Sequence, residues 1–235
     1  MFEEWLDAQT GLTVWVSAGS GETRVLPDLA SDVMLWRGAI FLAGFDTAAQ
    51  HFDRRAGSTT IGVRLPPGTL ASLAGDSASL MLNRRRELEP APEELILSAQ
   101  HKPVFAATYL AAWTRLRLAS LTPDKHGRLA AQTVLRRALA GERIDLMARQ
   151  LGWSPRKLQR FTVEQFGMPP VQLRSIARFH KASALVAAGA PLADAAAKAG
   201  YSDQAHFTRA VHRIAGTTPR LLHNAHRVAT ASRVD

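Results

Sequence analysis

Two stretches near the C-terminus of this 235-residue chain carry one pattern at a constant offset, and that repeat constrains the fold more than any other feature. The first runs Ser154, Pro155, Arg156, Lys157, Leu158, Gln159, Arg160 and goes on to Gly167 and Pro170. The second runs Asp203, Gln204, Ala205, His206, Phe207, Thr208, Arg209 and goes on to Gly216 and Pro219. Superposed, they match a capping residue, an apolar anchor (Leu158, Phe207), a polar residue followed by arginine, a terminating glycine and a proline. Each is preceded by a short helical run and a glycine-aromatic turn, Gly152-Trp153 and Gly200-Tyr201. Helix, tight glycine turn and capped second helix is the sequence shape of a helix-turn-helix. Two in tandem, in a basic segment, point to a reader of double-stranded DNA.

Charge agrees with that reading. Residues 1–120 hold 11 Lys and Arg against 13 Asp and Glu, whereas residues 121–235 hold 18 against 7. A basic half joined to a near-neutral half implies a polyanion-binding module attached to something with another job. There is no cysteine, which excludes disulfides, thiolate metal sites and a cysteine nucleophile. The N-terminus (Met1-Phe2-Glu3-Glu4) lacks the basic-then-apolar order of a signal peptide, and no apolar run approaches the ~20 residues of a membrane helix. A soluble, cytoplasmic chain without membrane contact is expected.

Up to about residue 86 the chain reads as short strands between turns. Leu12–Val16, Val33–Trp36, Ala39–Ala43 and Thr59–Leu65 are β-rich, with Arg37-Gly38 a hairpin turn and Pro66-Pro67-Gly68 a stop. Thr69–Leu82 reads as helix, and the charged, proline-bearing piece from Arg84 to Pro92 reads as the end of the first domain. Residues 87–126 form a helical connector, in which Phe105, Tyr109, Ala112, Trp113 and Leu116 share one face of a helix over Pro103–Leu118. That stripe fits either core packing or a dimer seam. Residues 127–227 are helical throughout, with helices ended by Gly141, Gly152, Gly167, Gly189, Gly200 and Gly216 and a long linking helix over Val171–Ala188. A tail, 228–235, follows.

In the first repeat Ser154 caps the helix and Pro155 takes the first helical position, where a missing N–H costs nothing. Leu158 and Phe161 then point inward, and Arg156, Gln159 and Arg160 share the opposite face. Arginine bonds guanine O6 and N7, and glutamine adenine N6 and N7, in bidentate fashion. In the second repeat Asp203 is the cap and Phe207 the anchor, and Gln204, Thr208 and Arg209 face outward. Lys157 and His206 are assigned to phosphate or to nothing. Arg178 has two readings, a phosphate contact or an ion pair with Glu164 or Asp194.

With these residues in view, 128–227 resembles the DNA-binding domain of the AraC/XylS family of bacterial transcriptional regulators. The resemblance rests on Ile144 to Ala148 with Ser154 to Phe161, and on Ala196, Gly200 to Arg209 and Gly216-Thr217-Thr218-Pro219. Val211-His212-Arg213 departs from the family's usual Phe-Lys-Arg, which should loosen core packing slightly. The resemblance implies two recognition helices entering successive major-groove segments, about 34 Å apart. It implies Arg156, Gln159 and Arg160 as readers in the first unit and Gln204, Ala205, Thr208 and Arg209 in the second, Ala205 offering only a thymine-methyl contact. It also implies RNA polymerase as a partner.

Leu26-Pro27-Asp28, Asp32 to Trp36, Ala43-Gly44 and Gly62 to Gly68 resemble the short cupin-like β domain of one AraC subgroup. The implied fold class is α+β: a small β-rich cupin-like domain, then an all-α domain with two helix-turn-helix motifs joined by a long helix. His51 and His101 are isolated, so no metal or other cofactor is expected. Asp28, Asp32 and Asp46 have no evident partner, no catalytic group emerges, and nothing identifies an effector. A small-molecule effector in the β domain and a homodimer both stay open, as does the alternative that the β domain only dimerises.

Overall fold

The computed structural model describes residues 1–121 and 124–225. Six antiparallel strands form one sheet in the order β1-β2-β5-β3-β4-β6. They are β1 (Phe2–Leu6), β2 (Thr13–Val25), β3 (Asp32–Trp36), β4 (Ala39–Ala43), β5 (Gln50–Arg64) and β6 (Arg85–Pro90). Arg37 and Gly38 join β3 to β4 with φ of 50° and 81°, the left-handed pair that a two-residue hairpin requires. The sheet continues past residue 86, because β6 pairs with β4 through Pro90. The piece expected to end the first domain is its edge strand, and its charges and proline suit an edge. The stretch expected to be one helix over Thr69–Leu82 is two short pieces, α1 (Leu70–Ala74) and a 3-10 turn (Ala78–Met81), split at Gly75 with φ 67°.

Strand alternation gives the sheet two different faces. Val14, Val16, Val33, Leu35, Ile61 and Val63 are buried on one face, where α2 (Glu93–His101) and α3 (Pro103–Ala119) pack. Trp15, Ser17, Asp32, Met34, Thr60 and Arg64 belong to the other face and line a cavity. Gly62 is the partner of Trp15 across β2 and β5, and a β-carbon there would meet the indole ring at 2.2 Å. The Trp15 ring therefore lies against the Gly62 backbone, a position only glycine permits.

The connector stripe divides differently from its core-packing reading. Ala106, Ala107, Leu110, Ala111 and Thr114 turn α3 toward the sheet. Phe105, Tyr109 and Leu116 are 62%, 44% and 73% exposed, and Ala112 is exposed with them. Small residues suit the close helix-to-sheet contact, so the larger apolar side chains face away from the core. Trp113 sits at the margin, with Nε1 donating to Glu89 Oε1 at 3.1 Å.

Helices α4 (Lys125–Leu139), α5 (Ile144–Gln150), α6 (Pro155–Phe166), α7 (Pro170–Ala187), α8 (Leu192–Lys198), α9 (Gln204–Ala215) and α10 (Pro219–Ala225) complete the described chain. They do not form one separate core. Met147, Leu158, Phe166, Leu173 and Ile176 of the first unit join the core that fills the sheet and α3. Phe45 and Phe166 meet edge to face, 5.6 Å between centroids. Gly167, with φ 72°, abuts the 3-10 turn so closely that a β-carbon would lie 2.7 Å from the Ala78 carbonyl oxygen. The second unit has its own core: Phe179, Ala182 and Val186 of α7 with Ala195, Tyr201, Phe207, Val211 and Ile214. Helix α7 thus gives one run of residues to each core. Among the described residues, no helix is long and apolar enough to cross a membrane.

Candidate nucleic-acid interface and regulatory cavity

Both units begin their second helix as the repeat requires. Ser154 Oγ accepts the Lys157 N–H at 3.2 Å, with Pro155 next to it at the start of α6. Asp203 Oδ1 accepts the His206 N–H at 2.6 Å at the start of α9. That backbone hydrogen bond, and one from the Ser202 hydroxyl, hold the Asp203 carboxyl below its ordinary pKa, so it caps as an anion. Gly167 and Gly216 end the two helices in the left-handed region, with φ of 72° and 61°.

The anchors and the outward faces separate cleanly. Leu158 and Phe207 are fully buried. Arg156, Lys157, Gln159 and Arg160 are exposed on α6, and Gln204, Ala205 and Arg209 on α9. Phe161 is only half-buried, its ring tilted against Trp153 with centroids 4.8 Å apart. Lys157 Nζ lies 4.9 Å from the centroid of the same indole, so its stem is oriented by Trp153. Thr208 is half-buried, and its hydroxyl donates to the Gln204 carbonyl at 3.0 Å. Its proton is already engaged, which leaves its methyl and lone pairs for any further contact.

Arg178 pairs with neither Glu164 nor Asp194. Its Nε donates to the Ala199 carbonyl at 3.3 Å, Nη2 donates to the Gly200 carbonyl, and the guanidinium lies 4.2 Å over the Tyr201 ring. It ties the turn between α8 and α9 to α7. Arg213 adds a second tie, Nη2 donating to Ser175 Oγ at 2.9 Å. The turn residue Tyr201 is buried and packs against Phe207, as between-helix packing requires. At the family departure, Val211 is fully buried in the second core and His212 is exposed.

The second feature is the cavity on the open face of the sheet, about 800 Å³ in volume. Here the carboxylates without evident partners acquire them. Arg64 Nε donates to Glu4 Oε1 at 2.5 Å and Nη1 to Asp28 Oδ2 at 2.6 Å. Burial alone would raise the Asp28 carboxyl, but Arg64 holds it below the ordinary value. Asp32 accepts the Trp15 Nε1–H at 3.0 Å; burial, reinforced by Asp28 and Glu4 against the pull of Arg64, pushes it up to about 6. Asp46 accepts two hydrogen bonds from Arg85, at 3.0 and 2.6 Å. Aromatic walls come from Trp15, Trp36 and Phe52. His180 of α7 also lines the cavity, so the helix shared by the two units borders it. None of these cavity residues was assigned a site role from the sequence. Their signal was present in the alternation of β2, β3 and β5, where a polar or aromatic set alternates with a Val/Leu/Ile set.

The comparisons with known proteins agree with this architecture. Residues 147–225 match the family model described as a helix-turn-helix domain. No curated protein sequence matches the chain. A structure of ToxT from Vibrio cholerae is 12% identical, covers 94% of this chain and 97% of its own, and superposes with a TM-score of 0.51. One of ToxT from Vibrio cholerae O395, also 12% identical, covers 98% and 99% with a TM-score of 0.50. At such identity the likeness is one of fold: an N-terminal β domain followed by a helical domain.

Proposed function

We propose, from the premise that this chain carries a C-terminal DNA-binding domain of the AraC family, that α6 and α9 read successive major-groove segments and that the N-terminal domain modulates this reading. The chain is a DNA-binding transcription regulator, and the finer reading takes it to act in the cytoplasm. The observation that carries the two-helix reading is the matched exposure of two capped helices whose anchors are fully buried. Arg156, Gln159 and Arg160 are the base readers of the first, and Gln204, Thr208 and Arg209 those of the second, with Ala205 limited to a methyl contact and Lys157 to phosphate. Helix α7, with 18 residues, spans about 27 Å at 1.5 Å per residue and supports a separation near one DNA turn.

Selection from a random duplex pool at moderate salt tests this: two short elements about one turn apart should be enriched. Arg160→Ala and Arg209→Ala should each cost about 1–3 kcal/mol of specific affinity and relax preference at one or two base positions. An equal loss on every sequence, with preference unchanged, would assign those arginines to phosphate alone. Wild-type affinity should fall steeply with salt.

Modulation through the N-terminal domain rests on the cavity and on its border with α7. An occupant there would touch the helix on which both reading units are mounted. The alternative, a β domain that only dimerises, draws on a separate observation. Phe105, Tyr109, Ala112 and Leu116 follow i, i+4, i+7 and i+11 spacing on the exposed face of α3, the seam of a two-helix coil. The two roles are compatible, and the occupant proposed for this stripe is a second copy of the chain. Phe105→Glu combined with Leu116→Glu should convert a dimer to a monomer in sedimentation while the thermal transition stays near wild type. A monomeric wild-type protein at micromolar concentration would remove the seam.

A further inference from the structure

The cavity pairs off many of its charges, but among the described residues Asp32, Arg54 and Arg24 form no salt bridge. Arg64 is answered by Glu4 and Asp28, and Asp46 by Arg85. Asp53 and Arg55 are exposed at the rim, and Arg37, also exposed, lies 4.4 Å over the Trp36 ring. Asp32 has one oxygen on Trp15 Nε1, and its other oxygen has no hydrogen bond among the described residues. Among the described residues Arg54 reaches a neutral acceptor alone, donating from Nη2 to Ser17 Oγ at 2.7 Å. Arg24 also lines the cavity, with Nε buried and without an acceptor among the described residues.

These two ends lie close together. Trp15, which holds Asp32, and Ser17, which holds Arg54, are two residues apart on β2, both lining the cavity. Residues at i and i+2 of a strand lie about 7 Å apart. Between and beside them the walls are Trp15, Met34, Trp36 and Phe52, with Trp36 packed edge-on against Phe52 at 5.9 Å. Glu4, Asp28 and Asp32 share the single Arg64 guanidinium, so that end holds negative charge in excess, and the partly buried Arg54 guanidinium has no anion against it among the described residues. The raised pKa of Asp32 and the lowered pKa of Arg54, both led by burial, point the same way. An anionic ligand would answer Arg54 but repel Asp32; a cationic one would do the reverse.

On the reading that this cavity is the regulatory site, we infer that its ligand is a small dipolar molecule. Its ammonium sits at Asp32, its carboxylate at Arg54, and an aromatic or apolar body lies against Trp36 and Phe52. Amino acids with large apolar side chains and short peptides of them form that class. The volume of about 800 Å³ falls within the range of small-molecule sites, roughly 300–1,000 Å³.

The test is calorimetry on the full chain with probes that share one body and differ in charge. L-tryptophan and tryptophylglycine carry both charges at two separations; tryptamine carries the ammonium alone, and indole-3-propionate the carboxylate alone. At least one dipolar probe should bind about tenfold or more tightly than either single-charge probe. Asp32→Asn keeps an acceptor for Trp15 and should erase the advantage over indole-3-propionate. Arg54→Gln keeps a donor for Ser17 and should erase the advantage over tryptamine. Indole-3-propionate binding as tightly as the dipolar probes, unaffected by Asp32→Asn, would overturn the inference in favour of an anion site. Tryptamine matching them would overturn it in favour of a cation site, and binding of none of the four would overturn it outright. Duplex selection on the same preparation separates the two failures, since enriched DNA elements without ligand binding sink the ligand class and leave the DNA reading intact.

Discussion

Arg64→Met is expected to lower the stability of the chain by about 2–3 kcal/mol at pH 7, a fall of roughly 4–12 °C in Tm. Arg64 is the cation against which Glu4 and Asp28 are folded, with Asp32 beside them. Removing one partner of a buried pair strands the other charges, and here three carboxylates would be left together. The effect sits at the low end for such a change because 24% of the Arg64 side chain still meets water. The loss should shrink on acidification, and the sign follows from linkage. Asp28 has a folded pKa below its unfolded value, so its contribution is present above about pH 4 and disappears as pH falls through the folded pKa. Asp32 works in the opposite sense in the wild-type protein. Its folded pKa of about 6 exceeds the unfolded value of 3.8, so its contribution is full below pH 4 and lost as pH rises to 6. Denaturant melts of both proteins between pH 3 and 7 would measure these terms. A difference that is constant with pH would mean that Arg64 acts through packing rather than charge.

The parts of this molecule that were readable in the sequence are those written in short-range contacts. The caps at Ser154 and Asp203 bond three residues onward, and the glycines that end α6 and α9 act within one turn. Such signals survive in a linear string. Strand β1 (Phe2–Leu6) did not, because its alternation is blurred by two glutamates, one of which, Glu4, is turned to Arg64 sixty positions away. Strand β6 did not, because an edge strand rich in Arg and Glu reads as a linker. The cavity was the least readable part. Glu4, Trp15, Asp28, Asp32 and Arg64 come from four strands and a loop, and each alone is an ordinary polar or aromatic residue. Only the β2-β5-β3 register brings them to one face. The stripe on α3 was visible, but periodicity cannot say which side of a helix meets the core. The alanines at 106, 107 and 111 decide that by permitting the closer approach.

Phe207→Ala is expected to show that the two helix-turn-helix units differ in what holds them. The Phe207 ring is fully buried and packs against Tyr201, 5.2 Å between centroids. Deleting such a ring costs about 3–5 kcal/mol from lost transfer energy and the cavity left behind. The second core rests on α7, α8, α9 and Leu222 of α10, with Leu26 packed at its margin, whereas the first unit shares its core with the sheet and α3. The damage should therefore stay local. All five tryptophans, Trp5, Trp15, Trp36, Trp113 and Trp153, lie outside the second unit, so tryptophan fluorescence should report an unfolding transition close to wild type. Amide exchange should accelerate in α8 and α9 and remain slow in α3 and in β2 through β5. On DNA, duplex selection with this variant should enrich one short element in place of two. A tryptophan transition that drops in step with exchange in α9 would mean that α7 couples the two cores into one folding unit. Whatever reached α7 from the cavity would then reach α6 and α9 together, rather than changing the stance of the second against the first.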